Sequence, residues 1–458
     1  MGAKKDFKVK LIKTEVVAAM LPMQEHWLSQ SNLDLLLPPV DVGVFICYQN
    51  PITSGILPKI WSFDSMVNVL KVSLCETLVS YYAFAGELVQ NLAGEPEILC
   101  NNAGVDFIEA WADVELKEIN FYNPDESIEA KLVPKKKHGV LAVQVTEFKC
   151  GGVVVGCTFD HRVANAYSFN MFLVSWAELA QSKPLSQLPS FQLSFLSPRC
   201  PSFYDPVIDT MYLPISALKQ ETTNIDHDDD QVISRVYYVK AEEIRGLQSL
   251  ANCNNTKFTK LETFSAFLWK TIASDTNKNF RLGIVVNGRS RLSDGDEEQA
   301  KILKGYFGNV LSIPFGEKRV EELKEKSLCW VARAVHEFLE RAVNKEHFLG
   351  LINWVENHRP EPALARIYAT DEDTPALVVS SGKQFPVRKI EFGWGEAVFG
   401  SYHFPWEGKS GYVMPMLSPK GNGDWIVYMH MLKGQIDLVE AIASNVFKPL
   451  TADYLNLK

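Results

Sequence analysis

The chain has no Cys-x-x-Cys pair, no apolar run long enough to span a bilayer and no dense basic stripe, and each absence removes a class of protein. Its eight cysteines (Cys47, Cys75, Cys100, Cys150, Cys157, Cys200, Cys253, Cys329) are scattered through 458 residues. Without paired spacing most read as reduced, packed thiols, with no redox centre and no metal site expected. No stretch reaches the roughly 18 apolar residues of a membrane helix. The start, Met1-Gly2-Ala3-Lys4-Lys5-Asp6, carries no apolar signal core. A cytoplasmic protein without a membrane partner is the expectation. The densest basic block is Lys135-Lys136-Lys137, in a chain of net charge −9, so nucleic acid is not an expected partner either. Nothing in the composition calls for an obligate assembly, and a monomer is expected.

What the chain does have is apolar mass: 47% of its residues are hydrophobic, enough for two cores and too long for one ordinary domain. From Gln181 to about Val232 the texture changes, with Pro184, Pro189, Pro198, Pro201, Pro206 and Pro214, then the acidic run Asp226-His227-Asp228-Asp229-Asp230. This reads as a crossover linker at 191–231 between an N-terminal domain at 1–190 and a C-terminal domain at 232–458. Strand candidates are Val42 to Tyr48, Val140 to Glu147, Arg235 to Val239, Leu282 to Val286, Ala376 to Val379 and Trp425 to His430. Thr259 to Ile272 reads as an amphipathic helix with Leu261, Phe264, Leu268 and Ile272 on one stripe. Strands and helices alternate without repeats, which predicts an α/β, mixed α+β class.

The most informative stretch runs from Gly151 to Leu179. Gly151 to Cys157 is a β-branched run of strand type, and Phe169, Phe172, Leu173, Trp176 and Leu179 recur at helical spacing. His161 stands at the boundary between them, where a side chain is exposed at a sheet edge and an imidazole can act as a base near neutral pH. The plain alternative is a histidine satisfied in the core or at the surface.

A second, distant run favours the base. The segment from His161 to Asn165, with Lys389-Ile390-Glu391-Phe392-Gly393-Trp394-Gly395, resembles the two signatures of the plant BAHD acyltransferases, H-x-x-x-D and D-F-G-W-G, in order and separation. Tyr81 to Leu88 is similar to the family's Y-Y-P-L-A-G-R-L run, and Asn287-Gly288-Arg289-Ser290-Arg291 to its D-G-R-x-R run. Leu21 to Leu28, Ser31 to Val42 and the tail from Phe399 to Leu455 look like the coniferyl alcohol acyltransferase branch. The resemblance implies two chloramphenicol-acetyltransferase-like domains with an active-site channel between them. It implies an O-acyltransferase with acyl-CoA as co-substrate and no permanently bound cofactor, acting on a phenylpropanoid alcohol such as coniferyl alcohol. His161 is then the general base for direct attack on the thioester.

Four departures from the family pattern bear on the site. Asn165 stands at the aspartate that in the family pairs with the arginine matching Arg289, and Asn287 replaces a second aspartate. An asparagine keeps one acceptor, so a weakened pairing is expected, with helix capping as the simpler alternative. Glu391 replaces the aspartate that leads the second signature and can pair with an arginine, while Gly393 and Gly395 around Trp394 suit a tight turn. At Ser380-Ser381-Gly382 the hydroxycinnamoyl branch has T-S-W; Gly382 lacks that side chain, so a roomier pocket is expected, with the oxyanion held by a Ser380 or Ser381 hydroxyl or a backbone N–H. The resemblance makes Lys257, Lys260 and Ser265 the residues for the CoA phosphates. With the usual carboxylate gone, a repurposed lyase-type chemistry of His161 and a non-catalytic binding protein stand as alternatives.

Overall fold

The computed structural model describes residues 7–50, 61–217, 231–252, 256–274, 278–369, 374–406, 408 and 410–457. The acidic run 226–230, Cys253 and the first six residues lie outside this set. The described chain forms a mixed α/β fold with two sheet-containing domains. One sheet has six strands in the order Val9–Val17, Val105–Ala112, Leu141–Phe148, Val153–Asp160, Asp41–Tyr48 and Phe399–His403. The other has seven, in the order Phe315–Arg319, Asn279–Ile284, Ala376–Val379, Gly411–Leu417, Trp425–Leu432, Val232–Val239 and Lys448–Pro449. Sheet membership departs from chain order at one place: Phe399–His403 leaves the second half of the chain and pairs antiparallel with Asp41–Tyr48. Each sheet has its own buried cluster, and a third gathers Leu33, Tyr212, Phe348 and Trp354.

The elements around the histidine follow from their residues. Val153–Asp160 is buried at every position, as a continuous apolar run should be when a sheet is covered on both faces. Its pairing with Asp41–Tyr48 continues one step past the strand, because the His161 N–H donates to the Val40 carbonyl at 2.9 Å. The following helix is Ala166–Ala180, with Phe169, Phe172, Leu173 and Trp176 buried. It packs on the helix Phe63–Ser80, where the Trp176 indole N–H donates to Leu70 O at 3.1 Å and Ser73 Oγ at 3.0 Å. Both ends of the His161 turn are therefore anchored in the first core.

The helix expected at 259–272 is Lys260–Thr271, closed by a capping box between Thr259 and Glu262. The segment 191–217 contains short helical turns at Leu193–Leu196 and Pro206–Thr210, and Tyr212–Pro214 pairs with Ala363–Ala365. Six cysteines are free thiols among the described residues, only Cys200 of them exposed. Cys329 departs from that pattern and is disulfide-bonded.

Close approach requires glycine at one point in the strand that leads to His161. A Cβ on Gly156 would stand 1.9 Å from the Leu132 carbonyl oxygen, a backbone atom that no rotamer change can move. Gly156→Ala should therefore destabilise the fold by about 3 kcal/mol, read as a lower denaturant midpoint at unchanged slope; an unshifted midpoint would mean the two backbones are not packed this closely.

Candidate active site

His161 is half-buried and lines a cavity of about 550 Å³ between the two sheet-containing domains. Burial lowers its pKa below the ordinary 6.5, partly offset by its own backbone and by the Asp160 carboxylate. Asp160 is in turn engaged by Arg162, which donates from Nε at 2.9 Å and from Nη2 at 2.8 Å. The balance favours the neutral form of the imidazole. Its backbone is held from two sides, by Val40 O on the N–H and by the Asn309 side-chain amide on the carbonyl at 2.9 Å.

Asn309 arrives from the second half of the chain and shows how the domains meet. Its N–H and its Nδ2 both donate to Asp34 Oδ1, at 2.6 and 2.9 Å. The other Asp34 oxygen accepts from the Ser31 N–H and hydroxyl. Burial raises the Asp34 pKa against these hydrogen bonds. Asp34 falls in the run 31–42 noted for its resemblance, but neither it nor Asn309 was singled out from the sequence, since the two lie 275 positions apart.

The turn carrying Asn309 is held by Arg289, which does not pair with Asn165. Arg289 Nη2 donates to Tyr306 O at 2.9 Å, Gly308 O at 2.8 Å and Ser168 Oγ at 2.9 Å. Asn165 Oδ1 instead accepts the Ser168 N–H at 2.9 Å, as the N-cap of the helix. The expected weakened pairing is replaced by capping, because the one acceptor of an amide serves the helix end. Asn165 Nδ2 and Arg289 Nε and Nη1 are left as buried donors with no partner. Among the described residues no carboxylate forms an ion pair with Arg289, whose pKa burial pushes down to about 10. The ring of Tyr167 lies 4.4 Å from the guanidinium carbon and supplies part of the compensation. Asn287 Oδ1 accepts the Arg289 N–H at 3.0 Å, so it shapes the same turn without a charge.

Ser380, Ser381 and Gly382 line the cavity, but there is no vacated space at Gly382. A Cβ there would meet Met416 Cγ at 2.4 Å and Met414 Cγ at 3.0 Å. The roomier pocket expected from the missing side chain is filled by methionines of the neighbouring strand. The Ser380 and Gly382 N–H groups are also committed, to Val413 O and Pro415 O at 2.9 Å each. Of the two serine hydroxyls, Ser381 Oγ accepts the Lys383 N–H at 3.5 Å, and that of Ser380 hydrogen-bonds the Tyr412 phenol.

Glu391, Gly393, Trp394 and Gly395 form a closed turn away from it. Gly393 and Gly395 have φ of 105° and 118°, a region that favours glycine. Glu391 Oε1 accepts both of their N–H groups, at 2.6 and 3.0 Å. The expected arginine partner of this acid is thus replaced by the turn's own backbone, which the longer side chain reaches across. Trp394 is buried against Tyr48, Trp61 and Phe392. Lys257 and Lys260 are exposed near the start of the helix Lys260–Thr271, and Ser265 is fully buried within it. None of the three lines the cavity.

Comparison with known proteins gives the class, the CoA-dependent acyltransferases. The model of the Transferase family matches residues 7–445, and the chain belongs to that family, as a BAHD-type acyl-CoA-dependent acyltransferase. Shikimate O-hydroxycinnamoyltransferase of Nicotiana tabacum is 27% identical over 442 residues, covering 92% of this chain and 96% of that protein. Fatty alcohol:caffeoyl-CoA acyltransferase of Arabidopsis thaliana is 29% identical over 74% of this chain and 77% of its own. Among solved structures, vinorine synthase has a TM-score of 0.68 at 19% identity, covering 96% of this chain and 99% of that one. Fusarium graminearum TRI101 complexed with coenzyme A and T-2 mycotoxin has a TM-score of 0.72 at 12% identity, over 92% and 99%. Both show the fold.

Asn165→Ala should cost about 1 kcal/mol through the lost cap. Asn165→Asp should stabilise, since a carboxylate keeps the cap and offers its second oxygen to the unpartnered Arg289 donors. Chemical denaturation of the two variants checks both signs, and destabilisation by aspartate would show that the orphan donors lie out of its reach.

Proposed function

We propose that the chain transfers an acyl group from acyl-CoA to the hydroxyl of a phenylpropanoid alcohol such as coniferyl alcohol, with His161 as general base. The observation that carries this reading is a cavity-lining imidazole whose backbone is held on both sides. In the proposed reaction His161 accepts the proton of the acceptor hydroxyl, and the oxygen attacks the thioester carbonyl carbon. The tetrahedral oxyanion takes hydrogen bonds from the Ser380 or Ser381 hydroxyl. The C–S bond then breaks, and the imidazolium returns its proton to the departing sulfur.

Several features support an aromatic acceptor. Tyr368, Tyr402, Phe404, Trp406 and Tyr412 line the cavity, and such rings pack against a planar phenylpropanoid in offset or edge-to-face arrangements. The relatives whose names specify hydroxycinnamoyl and caffeoyl groups point to the same chemical class. Exposed Lys304 and Lys383 border the cavity and are better placed than Lys257 and Lys260 to meet CoA phosphates. Asn165 acts as a helix cap, so its replacement of a carboxylate gives no ground for lyase-type chemistry.

His161→Ala should lower turnover by at least about 10²-fold with the fold retained. A panel of acyl-CoA thioesters and alcohols, followed by free-thiol release, measures it; turnover within a few-fold of the parent removes His161 from the mechanism. Because burial lowers the His161 pKa, the base is fully available above the folded value and lost as pH falls through it. The ratio kcat/KM should therefore rise through a midpoint below 6.5 and stay level to pH 8. A midpoint above 6.5 would contradict a desolvated imidazole as the base.

A further inference from the structure

Away from the catalytic cavity, Asp125, Glu129 and His403 bring two carboxylates and an imidazole together, with one ligand atom from each within 4.8 Å of the others. His403 is 2% exposed, and neither of its ring nitrogens has a hydrogen-bond partner. Nε2 is aimed at the carboxylates, with Glu129 Oε2 at 3.9 Å, too far for a hydrogen bond. Only the long ion pair with Glu129 offsets the cost of burying this imidazole. A metal ion between the three groups would remove that cost and satisfy all of them.

We propose that Asp125, Glu129 and His403 form a binding site for a divalent metal ion of the zinc class. One imidazole nitrogen with two carboxylate oxygens suits zinc, whose ligand bonds run about 2.0–2.2 Å. Two ligand atoms on one ion can thus stand up to about 4.4 Å apart, so binding requires a closure of a few tenths of an ångström. Glu129, with a side chain 40% exposed, is free to supply it.

The surroundings pre-organise the other two ligands. The Ser234 N–H donates to Asp125 Oδ2 at 2.6 Å, which leaves Oδ1 for the ion. Arg235 stands 3.9 Å from Oδ2 but is engaged by Asn123 Oδ1 and Ser234 O. His403 is set by its strand pairing opposite Gly43, where a Cβ would stand 2.8 Å from the His403 carbonyl oxygen. His430, the nearby second imidazole, is committed through both nitrogens, to Ser234 Oγ at 2.9 Å and Trp406 O at 3.0 Å. The sequence gives no sign of such a site, because His403 lies more than half the chain away from Asp125 and Glu129.

The ion would join three elements: the turn after Pro124–Ser127, the strand Val232–Val239 through the Asp125 hydrogen bond, and the end of Phe399–His403. Tyr402 and Phe404 flank His403 and line the catalytic cavity. The metal's role is therefore to brace a wall of the cavity from outside, and the acyl-transfer chemistry needs no part of it.

The test is zinc binding to chelator-stripped full-length protein, followed by competition with a chromophoric chelator, with cobalt as a spectroscopic substitute. One equivalent should bind, with cobalt bands lacking thiolate charge transfer. Glu129→Gln, at a partly exposed position where the fold is not at risk, should weaken affinity at least about tenfold. His403→Asn should weaken it further and abolish the zinc-dependent rise in Tm. If His403→Asn does not fold, the Glu129 variant decides alone. Absence of saturable binding, thiolate bands, or equal affinity in Glu129→Gln would overturn the proposal, and none of these results bears on whether His161 catalyses acyl transfer.

Discussion

A guanidinium without a carboxylate partner among the described residues holds the seam on which the site depends. Arg289 is 4% exposed and spends one nitrogen on the carbonyls of Tyr306 and Gly308 and on the Ser168 hydroxyl. Those contacts fix the turn that presents Asn309, and Asn309 joins Asp34 to the His161 carbonyl. The general-base candidate is thus positioned by both halves of the chain at once. A buried charge is costly unless hydrogen-bonded, so few other arrangements of this turn would keep the acceptors that Arg289 Nη2 uses.

Ser168 links the same seam to the helix behind His161. Its hydroxyl donates to Gly308 O at 2.9 Å and accepts the Gly308 N–H at 3.1 Å, while its own N–H is capped by Asn165. Movement of one domain against the other would break these bonds together. The strand Phe399–His403 adds a second tie, since the later half of the chain completes the first sheet. Tyr402 belongs to that strand and donates to Asn170 Oδ1 at 2.8 Å, so the cavity wall and the helix are fastened as well.

Local pattern carried much of the architecture into the sequence. The continuous apolar run before His161, the helical spacing of Phe169, Phe172 and Trp176, and the strand Ala376–Val379 were legible because each is decided by neighbours in sequence. The glycines around Trp394 were legible for the same reason. What local pattern could not give was partnership. Asn165 offered two readings, a pair for Arg289 or a cap, and the choice depends on where Ser168 points. Glu391 reached its own turn, and Gly382 faced methionines that come from a different strand. Asp34 with Asn309, like the proposed metal ligands, becomes visible only when distant segments are brought into contact.

By fixing the His161 backbone, the Arg289–Asn309 seam places the proposed base for acyl transfer. The most direct measurement is steady-state kinetics of Asn309→Ala, which removes the hydrogen bond to the His161 carbonyl without altering the His161 side chain itself. Misplacement of a catalytic group by about 1 Å can cost on the order of 10²-fold. The account predicts a fall in kcat of at least about tenfold, with KM for acyl-CoA within a few-fold of the parent. An unchanged kcat in a folded Asn309→Ala protein would contradict it.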